Sequence, residues 1–403
     1  MTISIAVAKE TAAGEKRVAM VPKVAAKLTK MDVTLTLAKG AGEGSRIPDA
    51  SYAEPVTLSG RADEIYGANV VLAVNAPEVK QIGKMKRGSV LISFVQGHNN
   101  PDVVDALVKN GVTCFAMELI PRISRAQSMD ALSSQANAAG YKAALIAANA
   151  LERFLPMLTT AAGTIRPAKV LVIGAGVAGL QAIATAGRLG AKVYGYDVRT
   201  DTKEQVESLG AEFLVAEGVK AEAEGGYARE LTDDEKKKQQ QMLADNMAEA
   251  DAVITTAAVP GRPAPKIVSK AMVEGMKPGA VIIDLAAAGG GNCELTQPDE
   301  IVTHGAVTIH GPSNMPSLLA EHASEMYAQN LFNFLQLVLV EEEGQEDAKP
   351  GDKKHKLEFN WDDEILAKAV LTRDGELVNE SVKVALGRDD DAGNDRTSAE
   401  ESS

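Results

Sequence analysis

An apolar run, Val170-Leu-Val-Ile173, leads straight into Gly174-Ala-Gly-Val-Ala-Gly179 and then into the helical pattern Leu180–Leu189. A strand, a glycine turn and a helix in that order form the first βα unit of a doubly wound parallel sheet. Gly174 permits the tight turn, Gly176 lets a pyrophosphate approach the backbone, and Gly179 lets the helix pack on the strand. The start of the helix offers N–H groups that have no carbonyl partner to a phosphate. Asp197 ends the next strand, where a carboxylate can accept hydrogen bonds from both hydroxyls of an adenosine ribose. It would also repel a 2′-phosphate, so a site for NAD(H) is expected in preference to NADP(H), with Arg199 nearby.

The length, 403 residues, exceeds what a single core usually fills and predicts about two domains. Residues 3–8, 33–37, 70–74, 89–95 and 113–118 read as strands, separated by helical segments such as Val21–Lys30 and Asp102–Asn110. In the second half the strands recur as Val170–Ile173, Lys192–Tyr196, Glu212–Val215, Ala252–Thr255, Val281–Leu285 and Val307–His310. Ser134–Thr160 reads as a long interdomain helix and Ser317–Val338 as a second helix that returns the chain to the first lobe. The expected fold is α/β: two doubly wound, Rossmann-like domains with a cleft between them, joined by long helices. The first comprises 1–133 plus about 330–388. The second comprises 134–329 and includes a mobile loop at about 216–232, followed by the helix Asp233–Glu249. Glu341–Lys356 reads as a charged linker, Leu357–Val378 as a small exposed hairpin or edge strand, and 389–403 as a disordered tail. Gly40-Ala-Gly-Glu-Gly44 precedes no helical run and reads as a plain turn, so one dinucleotide site is expected.

The net charge of −13 argues against nucleic acid as a partner. Cys114 and Cys293 lack the spacing of a zinc site or a disulfide framework, and no metal is expected. The N-terminus starts in an alternating strand without a signal peptide pattern. The longest late apolar run, Leu331–Val340, falls short of the roughly 20 residues that span a bilayer. A cytoplasmic location is expected.

Pro121-Arg-Ile-Ser-Arg-Ala-Gln-Ser-Met-Asp130, continuing to Ser133, ends the first lobe. Arg122, Gln127, Asp130 and Ser133 supply a fork of donors, an amide and an acceptor, which suit a nicotinamide carboxamide and a ribose; a polar loop or helix cap is the other reading. Together with Thr202-Lys-Glu-Gln-Val-Glu-Ser-Leu-Gly210, Gly225-Gly-Tyr-Ala228 and Gly291-Asn-Cys293, this stretch resembles the NAD(H)-binding component of proton-translocating, Re/Si-specific NAD(P)+ transhydrogenases over about residues 5–340. The resemblance implies that Arg122, Gln127, Asp130 and Ser133 position the dihydronicotinamide ring and that Tyr227 tips a loop closing over bound nucleotide. It further implies Ile123, Ser124, Val177, Ala178, Val198, Arg199, Gly226, Gln239 and Ala258 as nucleotide contacts. NADP(H) would sit on a partner subunit, beside a membrane-embedded proton-channel subunit. This chain would be a homodimer, peripheral on the inner face of the cytoplasmic membrane.

Alanine dehydrogenase is the competing reading, since its N-terminal pattern is similar to Lys9-Glu followed by Arg17-Val-Ala. Its chemistry requires a lysine and a histidine, yet Val71-Leu-Ala-Val-Asn-Ala-Pro77 holds no lysine and Phe94 stands at the histidine position. None of His98, His304, His310, His322 and His355 repairs this. Ala287-Ala288 stands where relatives on this fold carry an acidic residue.

Overall fold

The structure is a computed structural model that describes residues 2–216, 232–258, 263–342 and 353–388. It forms two compact units, one of Met1–Ser134 with Ala320–Ser403 and the other of Gln135–Leu319. The first division falls inside the helix Ala131–Ala150 and the second at the start of the helix Ala320–Val338. The chain thus returns to the first unit earlier than the expected residue 330. The reason is periodicity: Tyr327, Leu331, Phe334, Leu335 and Val338 recur on one helical face and are buried in that unit's core.

The first unit holds an eight-stranded sheet in the order Glu376–Leu377, Val370–Arg373, Thr113–Ala116, Val90–Phe94, Val70–Asn75, Ile3–Val7, Val33–Ala38 and Thr57–Ser59. From Thr113–Ala116 onward the pairing is parallel. Its central strands are apolar on both faces because each face carries its own core: Ile5, Leu35 and Ile92 in one, Ala6, Val71 and Leu91 in the other.

Leu357–Val378 departs from the exposed hairpin that its alternation suggests. His355–Leu357 pairs with Leu339–Glu341, so both ends of the expected charged linker are paired. A helix, Glu364–Ala369, follows, and Val370–Arg373 then adds antiparallel to Thr113–Ala116. Val370, Leu371 and Thr372 are buried there, and Thr372 Oγ1 donates to the Val112 carbonyl at 2.8 Å. Phe115 anchors the arrangement, with ring centroids 5.1 Å from Phe334, 5.7 Å from Phe359 and 6.1 Å from Trp361.

The second unit's sheet runs Glu212–Phe213, Lys192–Tyr196, Lys169–Ile173, Ala252–Thr255, Val281–Asp284, Val307–His310 and Ile301–His304. All pairings are parallel except the last, an antiparallel edge strand that the sequence reading did not anticipate. The long helix stops at Ala150, short of the expected Thr160. Leu151 and Leu155 turn into the core, the residue before Pro156 is biased away from helix, and Leu158–Thr160 pairs with Gly163–Ile165 instead. Among the described residues no helix is long and apolar enough to cross a membrane.

Strand order reverses beside Ile3–Val7 in the first sheet and beside Lys169–Ile173 in the second. Ligands of open α/β sheets bind outside the carboxyl ends of strands at such reversals. The fold itself yields a test at Phe115. Phe115→Ala is expected to lower stability by about 3–5 kcal/mol in urea unfolding; a loss below about 1 kcal/mol would show that the C-terminal segment does not depend on this ring.

Candidate functional site

Gly174 takes a φ of +98°, and a Cβ there would stand 2.6 Å from Thr256 Oγ1, which donates to the Gly174 carbonyl at 2.9 Å. At Gly179 a Cβ would lie 1.8 Å from the Gly174 carbonyl oxygen, so the helix Val177–Arg188 rests directly on the turn. A second helix meets the same turn, since a Cβ on Gly140, within Ala131–Ala150, would lie 2.0 Å from the Ala178 carbonyl oxygen. Gly176 differs from all three. Its φ of −76° suits any residue, and a Cβ there would meet nothing within 4 Å. The protein's own packing does not require glycine at 176; a ligand lying against the backbone does. The first helical bond runs from Leu180 N to Gly176 O at 2.8 Å, which leaves earlier N–H groups without helical partners. The residues present therefore fit a pyrophosphate.

Asp197 follows the strand Lys192–Tyr196, as the fingerprint requires. Its Oδ2 accepts from Ala175 N at 2.7 Å, tying it to the glycine turn, and its Oδ1 accepts from Arg199 N at 2.9 Å. The Arg199 guanidinium forks onto both oxygens at 3.1 Å. Burial alone would raise this carboxyl, but the Arg199 side chain and the two backbone donors outweigh it and hold it below the usual carboxylate range. Val177 and Val198 are exposed beside these groups. Gln239 is half-buried on the helix Asp233–Glu249, which begins with a capping box between Thr232 and Glu235, and Ala258 is exposed. Gly226, Tyr227 and most of the expected loop at 216–232 lie outside the described residues.

Two buried residues that the sequence reading did not single out hold the carboxyl end of this sheet. Asp284 ends the strand Val281–Asp284 and accepts from Thr255 Oγ1 at 2.9 Å, Thr296 Oγ1 at 2.6 Å and the N–H groups of Ala286 and Cys293 at 3.0 Å. Asn292 accepts from Ala257 N at 3.0 Å and donates to the carbonyls of Ala257 at 2.7 Å and Pro265 at 2.9 Å. Together they fix the chain after Ala252–Thr255. The available signals were an aspartate closing an apolar strand and an asparagine after a glycine run. Ala287, at the position of the missing acidic residue, is buried, whereas Ala288 is exposed.

In the first unit, Ser124–Met129 forms a 3-10 turn with Ala126 and Met129 buried. Segments distant in sequence clamp it. Asn330 and Asn333 both donate to the Ser128 carbonyl at 2.9 Å, and Arg125 forks onto Asp363 at 2.7 and 2.8 Å. Asp130 accepts from Ser133 N at 2.8 Å and Ser133 Oγ at 2.6 Å, which caps the helix Ala131–Ala150. Arg122, Ser124 and Gln127 are exposed and Ile123 is half-buried. The side chains of Arg122 and Gln127 hydrogen-bond to none of the described residues. The loop thus presents a free guanidinium and a free amide on a fixed backbone.

At the carboxyl ends of the first sheet, Asn75 Nδ2 donates to Glu10 and Glu15 at 3.0 Å, and Phe94 stacks on Tyr327 with centroids 5.2 Å apart. Burial raises the Glu10 carboxyl, but its oxygens are taken by Asn75 and the N–H groups of Val74 and Asn75. Neither Asn75 nor Phe94 can deliver a proton to a carbonyl. One substitution separates ligand approach from packing. Gly176→Ala should leave stability within about 0.5 kcal/mol and weaken NADH binding about tenfold or more in fluorescence titration; unchanged binding would contradict approach at this backbone.

Comparison with known proteins agrees with this geometry. Residues 6–139 match the family described as alanine dehydrogenase/PNT, N-terminal domain, and residues 143–380 match the C-terminal domain of the same family. The chain is 45% identical over 388 residues to the first of the separate chains of NAD(P) transhydrogenase subunit alpha of Rhodospirillum rubrum, covering 94% of this chain and 98% of the relative. It is 30% identical over 393 residues to alanine dehydrogenase of Mycobacterium tuberculosis, covering 95% and 96%. A crystal structure of transhydrogenase from Sinorhizobium meliloti matches with a TM-score of 0.80 at 39% identity, over 94% of this chain and 99% of that one. With both halves matched in order, the chain belongs to the alanine dehydrogenase/PNT family and is nearer to these transhydrogenases than to that alanine dehydrogenase.

Proposed function

We infer that this chain is the NAD(H)-binding subunit of a proton-translocating NAD(P)+ transhydrogenase, exchanging hydride with NADP(H) held by a partner subunit. The observation that carries this reading is the clamped loop 121–133. It offers Arg122 and Gln127 without internal partners, while Asn75 and Phe94 stand where a keto-acid enzyme needs proton donors. Bound NADH supplies a hydride, and its transfer between two nicotinamides moves no proton. The residues of the site then need only to bind and orient. The glycine turn and Asp197 hold the pyrophosphate and the adenosine ribose. Arg122 and Gln127 fix the nicotinamide carboxamide. Asp130 and Ser133 support them by fixing the start of the helix behind the loop, and Tyr227 with Gly226 covers the nucleotide. Ile123, Ser124, Val177, Ala178, Val198, Gln239 and Ala258 complete the contacts.

The names of the relatives, subunit alpha among them, support a complex with further subunits. A membrane-embedded proton-channel subunit and an NADP(H)-binding subunit are the proposed partners. This chain is proposed to be a homodimer at the cytoplasmic face of the membrane. The chain alone should show negligible transfer from NADH to an NADP+ analogue, and addition of the partner subunits should restore it. Gln127→Asn, which withdraws the amide by one methylene, should lower the restored rate by roughly ten- to a hundredfold. Full transfer by the chain alone would overturn the division of labour, and unchanged turnover in the variant would remove Gln127 from its role.

A further inference from the structure

The Asp197 carboxylate accepts four hydrogen bonds from the chain itself. Oδ1 takes Arg199 N at 2.9 Å and Arg199 Nε at 3.1 Å; Oδ2 takes Ala175 N at 2.7 Å and Arg199 Nη2 at 3.1 Å. A carboxylate offers about four lone-pair positions, so none remains for a ribose diol. The four donors are not equivalent. The two backbone N–H groups belong to the glycine turn and to the chain just beyond Asp197, and they cannot leave without unfolding the turn. The two guanidinium donors are the longer pair and sit on a side chain 52% exposed, whose hydrogen bonds among the described residues all go to Asp197.

We propose that Arg199 is a built-in competitor for the ribose hydroxyls and that the Asp197–Arg199 pair sets the choice between NAD(H) and NADP(H). This rests on reading the second unit as the dinucleotide site. When the ribose binds, the guanidinium swings out and its two acceptor positions pass to the 2′- and 3′-hydroxyls, while the backbone bonds stay. A 2′-phosphate cannot use those positions, because the carboxylate repels it, and the cation beside it is neutralised by the same carboxylate. Removing the charge at 197 would release Arg199 as a planar fork matched to a phosphate.

Binding of NADH and of NADPH is to be measured by nucleotide fluorescence on the whole chain, in wild type, Arg199→Ala, Asp197→Asn and the double variant, with thermal unfolding alongside. Arg199→Ala should bind NADH about two- to fivefold tighter, the range expected for removal of a partly exposed ion pair. Asp197→Asn should bind NADH more weakly and NADPH more tightly than wild type. The double variant should lose the NADPH gain. Equal or weaker NADH binding in Arg199→Ala overturns the competitor role, and an NADPH gain that survives in the double variant overturns the phosphate fork. If Asp197→Asn leaves NADH binding unchanged, the fault lies in the site assignment itself, and this inference falls with it.

Discussion

Direct contact of backbone with backbone at the start of the second unit governs the rest of the structure. The Gly174 carbonyl lies where a Cβ on Gly179 would be, and the Ala178 carbonyl lies where a Cβ on Gly140 would be. Any side chain at either position would separate the strand, the turn and one of two helices by more than a packed interior tolerates. Because these contacts leave no slack, the N–H groups of the turn and the open face of Gly176 are fixed before any ligand arrives. Asp197 is tied to the same turn through Ala175 N.

Buried side-chain hydrogen bonds extend this order beyond the sheet ladders. Asp284 and Asn292 are both fully buried and hold the chain that follows two strands at their carboxyl ends. In a low-dielectric interior such satisfied networks specify one arrangement, because a missing partner is costly. The first unit uses the same device at residues 121–133, where Asn330, Asn333 and Asp363 hold the backbone from far along the chain. In both units the backbone is fixed and the outward groups are left to a ligand. That is the arrangement required by chemistry whose barrier is lowered mainly by orientation.

Much of this was legible from local signals. The dinucleotide turn needed only a strand, three glycines and a carboxylate in order, and the central strands needed only apolar runs. What stayed hidden depends on contacts distant in sequence. Gly140 looked like a weak point in an alanine-rich helix, and its purpose emerges only when Ala178 lies against it. Val370–Arg373 alternates like an exposed strand, yet it pairs with Thr113–Ala116 and is buried. Leu158–Thr160 left the helix because a proline and two core leucines outweighed good helix formers around them. The bonding of Arg199 to Asp197 was equally out of reach, since proximity in sequence does not reveal which donors a carboxylate accepts.

The central claim is that hydride passes directly from a nucleotide on this chain to one on a partner, with no proton transfer through the protein. It is tested most directly with NADH deuterated at the transferring C4 position, incubated with this chain, its partner subunits and NADP+ in ordinary water. Recovery of the label in NADPH, without exchange into solvent and only when the partners are present, is the expected result. Label lost to water, or full transfer without the partners, would contradict it.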